Sequence, residues 1–122
     1  MEDITLPRKI TLEDKEIFDD VVKAILSVLG DDVVKIILYG SVARGDNTWE
    51  SDVDIAVLTK KYYDWSAQRK LYDELWEYDL KYCTIFSIIP IQEGAFNALK
   101  NVKLFYRNIM KEGITLWTTE AA

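Results

Sequence analysis

Residues 33–39, VVKIILY, are apolar at six of seven positions and are cut off by Gly40-Ser41. A run this short and this apolar suits a strand covered on both faces, which calls for a sheet with helices packed on it. The rest of the 122-residue chain supplies those helices. Ile17, Phe18, Val21, Val22, Ile25, Leu26 and Leu29 recur at helical spacing, with Thr11 expected as N-cap, Asp14 three residues later in a capping-box arrangement, and Gly30 as the stop. After the central run, residues 41–44 begin a short helix ending at Gly45, and 46–51 are polar loop. Residues 53–58 read as a second strand. A second amphipathic helix is expected over about 64–80, with Trp65, Leu71, Tyr72, Leu75, Trp76 and Tyr78 on or beside its buried stripe.

Residues 82–89 are rich in β-branched and aromatic side chains and read as a third strand stopped at Pro90. The tail holds one or two helical segments, the clearer over 104–112, then Gly113 and a short apolar end at 114–117. No repeat, linker or low-complexity stretch divides the sequence. The expectation is one α/β (α+β) domain over 1–122, with a core of about 10–117 and a small mixed sheet flanked by helices.

Composition narrows the chemistry. There is no histidine and one cysteine, which excludes His-ligated zinc, serine–histidine or cysteine–histidine catalysis and an internal disulfide framework. A net charge of −6 argues against a general basic field for nucleic acid. No stretch approaches the roughly 20 apolar residues that span a bilayer. Met1-Glu2-Asp3-Ile4-Thr5 has no cationic region leading into an apolar one, so no secretory signal is expected and a reduced cytoplasmic setting follows. Any catalysis rests on carboxylates, hydroxyls, lysine, arginine or a bound metal.

The stretch that carries chemistry is LYGSVARGDNTWESDVDIAVL, residues 38–58. Asp52 and Asp54 are two apart at the mouth of a strand and so project to one side. Two carboxylates held that close repel unless a cation sits between them, and Mg²⁺, which takes oxygen ligands and retains waters and phosphates, is the natural partner. Gly40 lets a phosphate approach the backbone, and Ser41 adds a hydroxyl donor. Arg44 adds a charged donor one turn later. Ser41 and Asp52 are eleven positions apart on successive strands. If those strands are neighbours, a Mg²⁺-bound nucleoside triphosphate fits between them, the geometry of phosphoryl or nucleotidyl transfer.

Gly40-Ser41-Val42-Ala43-Arg44-Gly45-Asp46 followed by Ser51-Asp52-Val53-Asp54-Ile55 resembles the signature of the DNA polymerase β-like nucleotidyltransferase superfamily, and in particular its minimal nucleotidyltransferase domains. The resemblance implies a small mixed sheet flanked by helices, with Gly40 and Ser41 on the triphosphate and Asp52 and Asp54 on divalent metal. For Arg44 it leaves two roles: touching phosphate, or pairing with a local acid such as Asp46. Members of that superfamily usually carry a third carboxylate on a later strand, and residues 82–89 contain no acid. The nearest acids are Asp79 and Glu77, just before them: either Asp79 serves near the strand's entrance, or Cys83 or Thr84 takes the position.

Cys83 is expected to be a buried packing residue, since no histidine can activate it. The aromatic set Tyr62, Tyr63, Trp65, Tyr72, Trp76, Tyr78 and Tyr82 is expected to form core or a partner surface rather than a base-stacking platform. Lys60 and Lys61 read as a solvated turn. Larger members of the superfamily grip their acceptor with a second domain. Here a homodimer or a separate partner protein would do so. By resemblance, that partner is a helical HEPN-type toxin, an RNase neutralised by contact or by addition of adenylyl groups to a tyrosine. Three functions follow: transfer of AMP from Mg-ATP to a hydroxyl of such a partner, neutralisation by binding alone, or small-molecule nucleotidyl transfer by a dimer.

Overall fold

The computed structural model describes residues 8–119, so the reading of Met1–Thr5 lies outside the described residues. In chain order the elements are α1 (Lys15–Leu29), a 3-10 turn (Gly30–Asp32), β1 (Val33–Tyr39), α2 (Gly40–Arg44), β2 (Val53–Thr59), α3 (Trp65–Tyr82), β3 (Phe86–Gln92), α4 (Glu93–Leu99), α5 (Leu104–Glu112) and β4 (Ile114–Thr118). The strands form one mixed sheet in the order β3-β2-β1-β4. β1 runs antiparallel to both β2 and β4, while β2 and β3 are parallel and α3 is their crossover.

The apolar run is covered on both faces, as its composition requires. Ile36 and Leu38 join Val21, Ile25, Leu71 and Leu75 in a core beneath α1 and α3. Val34, Ile37 and Tyr39 join Phe96 and Ile109 in a second core beneath α4 and α5. The β1–β2 register slips between Val33 and Lys35, so the residues on either side of Lys35 reach opposite layers. The apolar end at 114–117 is spent on β4, which covers the outer edge of β1.

Four local expectations are corrected. α1 starts at Lys15 with Asp14 as N-cap, three residues later than a Thr11 cap would put it. Thr11 and Asp14 do bond each other, through Thr11 N–H to the Asp14 carboxylate at 2.7 Å, but in the turn before the helix, where Arg8 also holds Asp14. α3 runs on to Tyr82, so β3 begins at Phe86 rather than 82. β3 then continues through Pro90, which sits opposite Val57. It is an edge strand, where a residue without an N–H is tolerated if the missing donor faces away from the only neighbour.

The fourth correction concerns the α3 stripe. Leu71 and Leu75 are buried and Tyr78 is partly so, but Trp65, Tyr72 and Trp76 are 77, 56 and 45% exposed. α3 covers the margin of the sheet, where one row of leucines suffices to meet it. With Tyr62 also 76% exposed, much of the aromatic set lies on the surface rather than in the core. Among the described residues no helix is long and apolar enough to cross a membrane.

Leu75→Ala is therefore expected to cost about 2–5 kcal/mol of unfolding free energy, and Trp65→Ala no more than about 0.5 kcal/mol, in urea titrations of the two variants.

Candidate active site

Backbone pairing brings the two halves of the motif together. The antiparallel register sets Tyr39, the last residue of β1, opposite Asp54 of β2, so the chain turns into Gly40-Ser41 directly beside that acid. Gly40 has φ +79°, in the left-handed region that favours glycine. A Cβ there would fall on Asp54 Oδ2 and lie 3.1 Å from Asp54 Cγ, so the carboxylate is seated against the glycine's bare Cα. The turn continues as α2, anchored by the buried Val42, and ends at Gly45 in the left-handed conformation, as the sequence predicts. Ser41, on this turn, is partly exposed.

Asp52 immediately precedes β2. The N–H of Val53 donates to the Ile85 carbonyl at 2.8 Å, and Val53, Ile55 and Val57 are fully buried. These contacts fix the strand that carries Asp54. Burial pushes the Asp54 carboxyl up from the usual aspartate range, and the charge of Asp52 pushes it further; Arg44 opposes and Glu112 adds to the rise. The phenol of Tyr39 is pushed up to about 12 by burial and then by Asp54. The charged form of Asp54 is thus disfavoured where it sits. Among the described residues no hydrogen bond reaches the Asp54 carboxylate. Two hard oxygen donors in a repulsive pair fit a divalent cation.

Of the two roles open to Arg44, the geometry shows the local pairing: Nε lies 3.2 Å from Asp46 Oδ2. It also shows a partner that sequence reasoning missed. Glu112, the last residue of α5, lies 3.1 Å from Arg44 Nη1 and accepts the Gly40 N–H at 3.1 Å. Nothing in the sequence marks Glu112 except an acid before Gly113, because its partners lie 68 and 72 positions away.

Asp79 sits in the last turn of α3, yet it stands at the entrance of β3. Its carboxylate accepts the N–H of Phe86, the first strand residue, at 3.0 Å. Burial raises its pKa, the Phe86 bond opposes, and the charge of Asp52 adds to the rise. β3 carries no acid, as expected, and the residue paired with Asp54 is Ser87 rather than Cys83 or Thr84. Cys83 is not buried: it is partly exposed and caps α3 at φ 49°. Lys60 and Lys61 are exposed in a turn whose backbone amides bond to Asp32. Among the described residues no three acidic or cysteine side chains converge on one metal position.

Because its folded-state pKa is raised, Asp54 favours the folded state when protonated and loses that contribution as pH rises through the carboxylate range. Asp54→Asn is expected to raise the melting temperature at pH 7, with the gain vanishing near about pH 3, where the wild-type acid is neutral in both states. Thermal melts of both proteins at the two pH values check this.

Residues 21–121 match the family model described as "Polymerase beta, Nucleotidyltransferase". A Methanocaldococcus jannaschii protein named "Putative protein adenylyltransferase MJ0604" is 33% identical over 106 residues, 87% of this chain and 100% of its own length. Among solved structures, a chain of a toxin–antitoxin crystallised with AMP-PNP superposes with a TM-score of 0.61 at 21% identity, covering 84% of this chain and 74% of that one. A chain from the complex of tri-AMPylated Shewanella oneidensis HEPN toxin with its MNT antitoxin gives 0.54 at 17% identity, covering 86% and 73%. At these identities the structural likeness is one of fold. Sequence match, motif order and sheet topology agree: the chain belongs to the polymerase beta nucleotidyltransferase family.

Proposed function

We propose that this protein transfers AMP from Mg-ATP to a hydroxyl group of a partner protein. The observation that carries the proposal is the seating of Asp54 against Gly40, which puts a cation-seeking acid pair beside a serine-bearing turn. The acceptor class is supported by a relative named for protein adenylylation and by a fold neighbour crystallised with a tri-AMPylated HEPN toxin. A helical HEPN-type toxin with an acceptor tyrosine is therefore the partner, and the cytoplasm, where ATP is abundant, is the setting.

In this reading Asp52 and Asp54 hold the divalent cation. Mg²⁺ suits them because two carboxylates leave room for waters and phosphate oxygens. When bound, the cation supplies neutralisation of phosphate charge. Ser41 binds the triphosphate, with Gly40 giving the backbone clearance it needs and Arg44 holding the turn. The acceptor oxygen bonds to the α-phosphorus, the bond to pyrophosphate breaks, and Asp79 takes the acceptor's proton. Asp79 is suited to that role because burial and the neighbouring Asp52 raise its proton affinity, while the Phe86 amide fixes its position.

A second reading, neutralisation by binding without turnover, draws on the lack of an acid on β3 and of a three-acid cluster among the described residues. One assay separates the two. Purified protein, Mg-ATP and its HEPN-type toxin partner are expected to give AMP-labelled toxin, and Asp54→Asn to lower the rate at least about a hundredfold. A wild type that neutralises the toxin without labelling it would establish the binding reading instead.

A further inference from the structure

Glu112 has no part in the nucleotide reading, yet its carboxylate spans both ends of the turn on which that reading depends. Oε1 accepts the N–H of Gly40 at 3.1 Å, and both oxygens lie 3.1 Å from Arg44 Nη1. The side chain is 21% exposed against 46% for the arginine.

The backbone beneath this carboxylate is fixed. Ile109, 1% exposed, buries the inner side of α5 in the second core. Gly113 follows Glu112, and a Cβ there would meet the Ile109 carbonyl oxygen and come within 2.6 Å of Ile37 Cγ2. Only glycine lets the end of α5 close on β1. Ile114 then pairs with Leu38, two residues before Gly40. The carboxylate and the turn it holds are thus tied to the same strand.

We infer that Glu112 is a positioning residue for nucleotide binding: by clamping Gly40 and Arg44 it holds the Ser41 turn in the form that receives the phosphate tail. The inference rests on the nucleotide reading above. One N–H does not serve two anions well, so with the clamp closed Gly40 contributes clearance, and Ser41 and the acid pair's cation take the phosphates. The opposite role, a stand-in that leaves when phosphate arrives, is disfavoured by the pinned backbone. A displaced Glu112 would remain in the same crevice, adding its charge to those of Asp52, Asp54 and the incoming tail. A clamp held in advance lowers the ordering cost of binding.

The test compares the full-length wild type with Glu112→Ala and Glu112→Gln, reading Mg-ATP affinity by calorimetry, Mn²⁺ alone by electron paramagnetic resonance, and the melting temperature. Glu112→Ala is expected to weaken Mg-ATP binding about tenfold while Mn²⁺ affinity changes by less than about threefold, since the acid pair is intact. Glu112→Gln keeps one acceptor oxygen for Gly40 and should recover part of the loss. Tighter Mg-ATP binding by either variant would mean a displaceable stand-in and overturn the clamp. Equal losses of Mn²⁺ and Mg-ATP with a collapsed melting temperature would mean a merely structural residue and overturn it too. If the alanine variant does not fold, the glutamine variant decides, because nucleotide affinity equal to wild type there removes the clamp. A wild type that does not bind Mg-ATP would bring down the nucleotide reading itself, a failure visible before any variant is measured.

Discussion

The site depends on one steric contact, the carboxylate of Asp54 lying against the Cα of Gly40. That contact requires an antiparallel register setting Tyr39 opposite Asp54, a left-handed backbone at position 40, and no side chain there. Each condition is enforced by something larger. Register is enforced by the buried residues of β1 and β2, because a one-residue slip would turn their core-facing side chains to the wrong layer. The left-handed turn is held by Val42 in the core and by Gly45 at its end. The chemistry is therefore a by-product of packing: once the two central strands pair, the acid and the serine-bearing turn have nowhere else to be.

Charge is the second constraint. Asp52, Asp54, Asp79 and Glu112 bear on one end of the sheet, and Arg44 is the cation paired among them, already engaged by Asp46 and Glu112. A packed protein has reason to avoid such an excess of one sign, since it raises the cost of ionising its members, as the upward shifts of Asp54 and Asp79 record. The excess is consistent with the proposed role of the acid pair in holding a divalent cation. In the proposed reading, the repulsion that costs folding stability at neutral pH is what a bound cation would relieve.

What was legible in the sequence divides by distance along the chain. The strands at 33–39 and 53–58, the turn at 40–45 and the place of Asp52 and Asp54 at the start of β2 are legible because periodicity, glycine placement and two-residue spacing are local signals. Helix ends are less legible. Thr11 and Asp14 form their bond in a turn rather than a cap, and the β-branched and aromatic content of 82–89 conceals a helix terminus at Cys83. Pro90 reads as a stop only if β3 has neighbours on both sides, and strand order is not written in any short segment. Trp65, Tyr72 and Trp76 fit a helical stripe, but stripe width depends on how much sheet lies beneath the helix. Glu112 was invisible for the same reason, being brought to the turn by the docking of α5 on β1.

That division also bears on how a third acid can be supplied. A carboxylate carried on β3 would be placed by strand pairing, with Ser87 occupying the position beside Asp54. Asp79 is placed instead by a capping-type bond from a helix terminus to the first amide of the strand. Its carboxylate is positioned by the helix terminus and the strand's first amide together, where an acid on the edge strand β3 would be positioned by the β2 ladder alone. The 83–85 connection is itself tied down: the Thr84 N–H donates to the Asp79 carbonyl at 3.2 Å and the Val53 N–H donates to the Ile85 carbonyl at 2.8 Å. In the proposed reading the metal pair and the proton acceptor are therefore positioned by different elements, strand register for Asp54 and a helix terminus for Asp79.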